Sequence, residues 1–220
     1  MSIAETLSYR RRQLRAASIY SRHVKRLLDL GLVLLVLPVT LPVILLLAVL
    51  VRRDGGPAFF GHERVGRHGA SFRCWKLRSM ADNAKELLER HLERDPAAAE
   101  EWKAHQKLSD DPRVTRLGRL LRATSLDELP QLWNVVRGEM SLVGPRPVTR
   151  AELDRYQGSE GYYLAARPGV TGLWQVSGRN DVSYPERVRL DVRYVKTCSF
   201  AVDVMILVRT IGAVLRRSGR

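Results

Sequence analysis

Residues 124–134 read TSLDELPQLWN, with two carboxylates, Asp127 and Glu128, side by side just before Pro130. Arg122 stands five residues ahead of Asp127, and Arg146 is held between prolines in GPRP (Gly144 to Pro147). A carboxylate can attack phosphorus and form an acyl phosphate. Its own charge and that of the phosphates must then be offset by a divalent metal or by arginines. A neighbouring carboxylate suits such a metal, since magnesium takes one or two carboxylates and completes its shell with phosphate oxygens and water. An arginine in a proline-stiffened turn loses little entropy on gripping phosphate. A plainer reading competes. Ser125-Leu126-Asp127-Glu128 matches a capping box, and acids in a first helical turn suit the dipole. With Ser125 as N-cap, however, Pro130 would be the fifth helical residue, where its missing N–H and ring are costly. A helix start nearer Asp127 places Pro130 inside the first turn. Asp-Glu pairs are common, so the pair alone does not decide between the two readings.

The elements that must position these residues begin in a membrane. Leu30 to Val51 contains 22 residues without a charge, which passes the length needed for a bilayer-spanning helix. The run is too long for a signal peptide, and Arg52-Arg53 comes after it in place of a small-residue cleavage site. Pro38 and Pro42 fall at its midpoint, each removing a helical hydrogen bond. Both flanks are basic, Arg22, Lys25 and Arg26 before and Arg52 and Arg53 after, so the positive-inside rule wants both ends in the cytoplasm. A straight helix of this length runs ~33 Å, whereas two arms broken at the prolines reach ~15 Å each. Two geometries remain open on the residues alone: a proline-kinked single span and a re-entrant hairpin broken at Pro38 and Pro42.

The chain of 220 residues carries a net charge of +14 and a pI of about 10.5, which demands an anionic partner: lipid, nucleic acid or phosphorylated small molecules. From Met1 to Arg26 seven Lys/Arg face one acid, Glu5, so the excess gathers beside the apolar run. No recognisable nucleic-acid-binding motif is present, and there is neither a G-x-x-x-x-G-K-[ST] nor a G-x-G-x-x-G. Cys74 and Cys198 make no disulfide framework and no zinc spacing, and read as idle thiols in a reducing compartment. The main rival to an enzyme is a non-catalytic membrane-anchored adaptor whose basic surface binds anionic lipid or nucleic acid.

Beyond the apolar run, Ala58 to Arg64 and Ser71 to Lys76 flank Gly66 and Gly69 and predict a β-hairpin. Residues 81–107 predict two charged surface helices, split at Asp95-Pro96 with Asp95 as N-cap. Asp111-Pro112 is expected to open a basic amphipathic helix, with Arg113, Arg116, Arg119 and Arg122 recurring every three residues. Gly138 should end the helix that comes after Asp127, and a charged helix is expected over Tyr184 to Lys196. The C-terminal run from Asp203 is apolar with a basic end, and should lie against the domain or the interface.

Taken together, RATSLDELPQLWNVVRGEMSLVGPRPV (Arg122 to Val148) resembles the signature of the bacterial sugar transferases, the monotopic phosphoglycosyl transferases. KRLLD before the apolar run, KLRSM (Lys76 to Met80), RPGVTGLWQVSGRND (Arg167 to Asp181) and DVRYVK (Asp191 to Lys196) agree with it. The likeness covers Lys25 to the C-terminus and is greatest to the short members that begin exopolysaccharide repeat units with galactose 1-phosphate. It implies a helix-rich α+β fold in three parts. These are a basic segment over residues 1–24, a re-entrant membrane helix hairpin over 25–53, and a cytoplasmic catalytic domain over 54–220. The last part has a small β-hairpin, interfacial amphipathic helices and a charged helical insertion at 81–107.

The resemblance also implies a reaction at the cytoplasmic face of the bacterial inner membrane. Asp127 would attack a UDP-sugar, release UMP and pass the phosphosugar to undecaprenyl phosphate. Glu128 would bind Mg²⁺. Arg122 and Arg146 would grip phosphates, and Lys76, Arg167 and Arg179 fall in matching motifs. Inner-membrane lipid is an implied partner, nucleic acid is not, and larger members suggest a homodimer. One departure stands out: the smallest members place Ser-Pro at the membrane break, where this chain has Leu41-Pro42.

Overall fold

A computed structural model describes Tyr20 and residues 24–105, 108–178 and 182–215. The basic segment expected over 1–24 therefore lies almost wholly outside the described residues, as do Arg179 and the last two residues of the charged insertion. The fold is helix-rich α+β, built on two small sheets.

Helix α1 (Lys25–Arg52) is a single helical element that contains both Pro38 and Pro42. It is the one helix among the described residues long and apolar enough to cross a membrane. At the expected break the Thr40 hydroxyl donates back to the Val36 carbonyl at 3.1 Å, a bond of the kind that bends helices.

Only the two ends of α1 are anchored to the body. Val33 is fully buried against Phe72, Cys74, Leu132, Val135 and Met140. Leu47, Ala48 and Val51 pack with Ala58, Leu77 and Leu121. Between these two feet Leu34, Leu35, Val39, Leu41, Leu45 and Leu46 are exposed. Polar bonds lock both feet. At the first, Arg26 donates to the carbonyls of Val135 and Val136 at 2.5 and 3.0 Å. Lys25 lies 2.5 Å from Asp203, and Asp29 accepts from Ser141 Oγ at 2.7 Å. At the second, the buried Arg78 guanidinium donates to the carbonyls of Val51, Pro57 and Met80 and pairs with Asp54.

The predicted hairpin forms as β1 (Phe59–Val65) and β2 (Ser71–Leu77), antiparallel, with Phe59 opposite Leu77 and Val65 opposite Ser71. The charged pair forms as α2 (Ala84–Arg94) and α3 (Pro96–His105), and Asp95 accepts from the N–H groups of Ala97 and Ala98 as the expected cap.

The next helix departs from its prediction. α4 spans Arg116–Thr124, with Thr115 rather than Asp111 as its cap, accepting from the Gly118 N–H at 2.8 Å. Asp111 instead binds the Arg113 backbone and guanidinium, and Val114 forms an antiparallel bridge with Met80. That extended pairing holds Val114 out of helical geometry.

Helix α5 (Gln131–Arg137) ends at Gly138 as predicted, and Gly138 takes a left-handed φ of 79°. Strand β3 (Ser141–Val143) pairs in parallel with β4 (Gly169–Thr171). The sequence shows only turn-rich pieces there, because strands of three residues are too short to display alternation. Gly144 and Gly169 cross so closely that a Cβ on Gly169 would lie 2.1 Å from the Gly144 nitrogen, which fixes the GPRP turn against RPG. Short helices α6 (Arg150–Leu153), α7 (Glu160–Ala165) and α8 (Leu173–Val176) come next. The chain closes with α9 (Tyr184–Thr197) and α10 (Phe200–Leu215). α10 begins earlier than the apolar run suggests and packs on the domain through the fully buried Ile206.

Candidate active site

The Asp127–Glu128 pair sits where two helices meet. Ser125 closes α4 in the left-handed conformation, φ 57°, and so is the end of one helix rather than the N-cap of the next. Its side chain makes no capping bond to the adjoining turn, so the capping-box reading fails. Leu126–Glu128 form one turn of 3₁₀ helix, and Pro130 stands at the N-cap of α5. The prolyl ring therefore costs no helical hydrogen bond.

Three elements converge on this turn. Strand β2 brings Lys76, whose ammonium lies 2.5 Å from Glu128 Oε1 and 3.9 Å from Asp127 Oδ2. Helix α4 brings Arg122, whose Nε donates to Ser79 Oγ at 2.9 Å. That contact requires Gly118, because a Cβ there would stand 1.9 Å from the Ser79 carbonyl oxygen. The third support is Asn134 on α5, fully buried and bonded to the backbone of β2 at two points. It donates to the Arg73 carbonyl at 2.7 Å and accepts from the Trp75 N–H at 3.1 Å. Asn134 thus ties the helix beyond the carboxylates to the strand that carries Lys76. Its signal in the sequence is a polar residue beside Val135, and Gln131 is a second polar residue buried on the same helix.

The two carboxylates have different environments. Asp127 is 7% exposed. Burial and the charge of Glu128 push its carboxyl up, Lys76 and Arg122 pull it down, and burial prevails, leaving it at about 6. Glu128, a third exposed, opens to solvent and is the better placed of the two for a hydrated ion. Among the described residues no group of three or more His, Cys, Asp or Glu is suited to a metal. A magnesium ion that shares its shell with substrate phosphate and water needs only one or two carboxylates, and Glu128 is the residue that could hold one here.

The other expected residues are placed differently. Cys74, buried on β2, is pushed up to about 11 by burial, with Lys76 pulling it down and Glu128 pushing it up. The Arg146 guanidinium lies 5.7 Å from the centroid of the Trp174 ring. Arg167 donates from Nε to the Gly138 carbonyl at 2.9 Å. With Arg26 it satisfies carbonyls at the C-terminal end of α5, ~10 Å along that helix from the carboxylates. Lys76, Arg122, Asp127 and Glu128 are thus brought together, Arg146 is placed against Trp174, and Arg167 serves the far end of α5. Trp174 and Arg187 also border Arg146. The sequence assigns neither of them a role, because their side chains meet only through folding.

A family model described as "Bacterial sugar transferase" matches residues 20–217. The chain is 58% identical over 199 residues to a UDP-galactose-lipid carrier transferase of Erwinia amylovora, covering 90% of this chain and 42% of the relative. It is 53% identical over 199 residues to an undecaprenyl-phosphate galactose phosphotransferase of Salmonella typhimurium, with coverage of 90% and 42%. It therefore spans about two-fifths of the length of those two relatives. Against the exopolysaccharide production protein ExoY of Sinorhizobium fredii it is 50% identical over 196 residues, covering 89% of this chain and 87% of ExoY. The matched span takes in α1, the carboxylate turn and every element that supports it, and the chain belongs to the bacterial sugar transferase family.

Proposed function

We propose that this chain transfers a hexose 1-phosphate, galactose 1-phosphate by the names of its relatives, from a UDP-sugar to undecaprenyl phosphate, and so starts an exopolysaccharide repeat unit. The observation that carries this reading is a buried carboxylate, Asp127, held between Lys76, Arg122 and a second carboxylate at the foot of an apolar helix.

In the first step an Asp127 carboxylate oxygen forms a bond to the sugar-bearing phosphorus, and the bond from that phosphorus to the UMP oxygen breaks. UMP leaves with the electron pair. In the second step a phosphate oxygen of the polyprenyl carrier attacks the same phosphorus, and the carboxylate of Asp127 departs unchanged. No proton has to move in either step, because both nucleophiles are already anionic above about pH 6. Lys76 and Arg122 offset the charge that gathers between nucleophile and phosphate. Glu128, with phosphate oxygens and water, would hold Mg²⁺, which supplies further charge neutralisation at the phosphates.

A lipid phosphate presents its reactive group at headgroup depth, so the nucleophile has to lie there too. A re-entrant α1 meets this need. It is supported by the anchoring of both feet on one body, the exposed apolar middle, and basic residues at each end. The same features support a catalytic domain on the cytoplasmic face of the inner membrane.

The test is mass analysis of the purified, membrane-reconstituted chain after incubation with UDP-galactose and Mg²⁺. A peptide containing Asp127 should gain one phosphosugar, UMP should appear in equal amount, and added undecaprenyl phosphate should discharge the adduct. Normal turnover by Asp127→Asn would overturn the mechanism. A panel of UDP-sugars read by UMP release assigns the hexose.

A further inference from the structure

Arg67, on the turn between β1 and β2, is half-buried, and its buried Nε has no hydrogen-bond partner among the described residues. A buried, unpaired donor is costly, and more so on a group that carries charge. Burial and the charge of Arg167 both push the Arg67 guanidinium below its ordinary value. The turn that carries Arg67 packs against α7, the helix that leads into Arg167. Arg167 in turn meets Arg26, and both are half-buried at the C-terminal end of α5. Arg167 Nε donates to the Gly138 carbonyl at 2.9 Å, and Arg26 Nη2 lies 3.5 Å from the point that a Cβ on Gly138 would occupy. Guanidiniums from α1, the hairpin turn and the RPG segment are thus drawn into one group.

None of the three forms an ion pair among the described residues. The carboxylates on the adjoining elements have partners of their own. Asp29 accepts from Ser141 Oγ at 2.7 Å and from the Leu142 N–H at 3.2 Å, with Lys25 at 3.8 Å. Glu139 pairs with Arg137 at 3.1 Å and accepts from Asn134 at 2.6 Å. The carbonyls and dipole of α5 offset part of the charge on Arg26 and Arg167. Arg167 spends only its Nε there, and its two Nη groups, like the whole Arg67 fork, meet no acceptor among the described residues. Apolar side chains rim the group. Leu27, beside Arg26 on α1, is exposed, and so are Trp133 and Val136 on α5. Arg26 itself donates to the Val136 carbonyl at 3.0 Å.

We propose that Arg26, Arg67 and Arg167 form a site for the phosphate of an anionic phospholipid, at the base of α1 and apart from the carboxylate turn. The inference goes beyond the transfer reaction and rests only on the placement of α1 in a membrane. Free phosphate shares the head-group chemistry, but cations beside exposed apolar side chains suit a molecule that joins phosphate to hydrocarbon. Its oxygens accept from the orphan Nε of Arg67 and from the Nη groups of Arg167, and its charge relieves the repulsion among the three cations. The site stands at the end of α5 remote from Asp127, so the lipid is a structural ligand and not a reactant. Bound there, it ties α1, the hairpin turn and the RPG segment together.

The experiment titrates the purified full chain, in uncharged detergent, with dioctanoyl phosphatidylglycerol, dioctanoyl phosphatidylcholine or inorganic phosphate. Binding is read by native mass spectrometry and by thermal melts. The native chain should bind phosphatidylglycerol saturably and more tightly than either other probe. Arg67→Gln should weaken that binding by about tenfold, as expected for one charged contact. Without lipid the variant should melt no lower than the native chain, because the guanidinium it loses meets only burial and like charge. If Arg67→Gln does not fold, Arg67→Lys, which keeps the charge and loses the fork, is read by the same affinity criterion. Phosphatidylglycerol affinity within twofold of native overturns the proposal, as does phosphatidylcholine binding equally well. Inorganic phosphate binding as tightly as phosphatidylglycerol assigns the site to the free ion and overturns the lipid reading. Formation of the Asp127 adduct is scored separately, so failure of either reading leaves the other standing.

Discussion

At the scale of single residues, Asp127 carries opposing demands. A nucleophile must be ionised, yet burial raises its carboxyl from 3.8 to about 6. The rate of UMP release should therefore fall as pH drops through about 6. Lys76 is the largest charge working against burial, so Lys76→Met should move that midpoint upward, read from pH profiles of the first half-reaction. The same shift has a signature in stability. A raised folded-state pKa means the folded form holds its proton more tightly than the unfolded form, so the ionised site costs stability as pH rises from about 4 through 6. Asp127→Asn removes this cost. At pH 8 it should be more stable than the native chain by on the order of 1–3 kcal/mol, with the gap closing below pH 4, while turnover drops at least about a thousandfold. Thermal melts at the two pH values check the first part. Asp127 and Glu128 are legible in the sequence because they are neighbours set in a specific motif. Their closest cation is harder to assign: the motif around Lys76 suggests a phosphate ligand, and only the fold reveals it bridging the two carboxylates.

At the scale of elements, the site depends on how near α4 comes to the end of β2. Gly118 sets that approach. Gly118→Ala places a methyl group against the Ser79 carbonyl, which helix and strand must separate to admit. The expected cost is about 1–3 kcal/mol. Because Arg122 then loses Ser79, initial rates should fall more than the loss of folded protein accounts for, measured by melts and UMP release together. Element types are largely legible from punctuation: Gly66 and Gly69 for the hairpin, Asp95-Pro96 for the split helix, Gly138 for the stop. The start of α4 is not. Asp111-Pro112 is a good local start signal, but the bridge between Val114 and Met80 overrides it, and Thr115 caps instead. Pairing between residues over thirty positions apart leaves no local trace. The three-residue strands β3 and β4 are illegible for the same reason, since their partner, not their pattern, defines them.

At the scale of the whole molecule, α1 is held by charge as well as by packing. Lys25 is mostly buried against Asp203, whose side chain is 1% exposed, with Asp29 close by. Removing Lys25 leaves the buried Asp203 and Asp29 with neutral donors, the Tyr20, Tyr194 and Ser141 hydroxyls and the Leu142 N–H, in place of a cation, at a cost of up to about 3–5 kcal/mol. Lys25→Met should accordingly destabilise the reconstituted chain by that order and loosen the junction of α1 with α10, as read by protease sensitivity near Asp203. The basic flanks and the apolar run are plain in the sequence. The inward-facing use of Lys25 and Arg26 is not, because both also satisfy the membrane-orientation rule and give no reason to look for a second role.

The thiol of Cys74 has a use of its own. Buried on β2 under the carboxylate turn, and held protonated by a pKa raised to about 11, it is shielded from alkylating reagents while the hairpin stays closed. Its labelling rate is therefore a clock for the opening of the site, read residue by residue from peptide mass with Cys198 timed separately. A donor that bridges Lys76 and the carboxylate turn should slow that clock at Cys74, so that substrate engagement becomes measurable in a chain whose chemistry has been switched off.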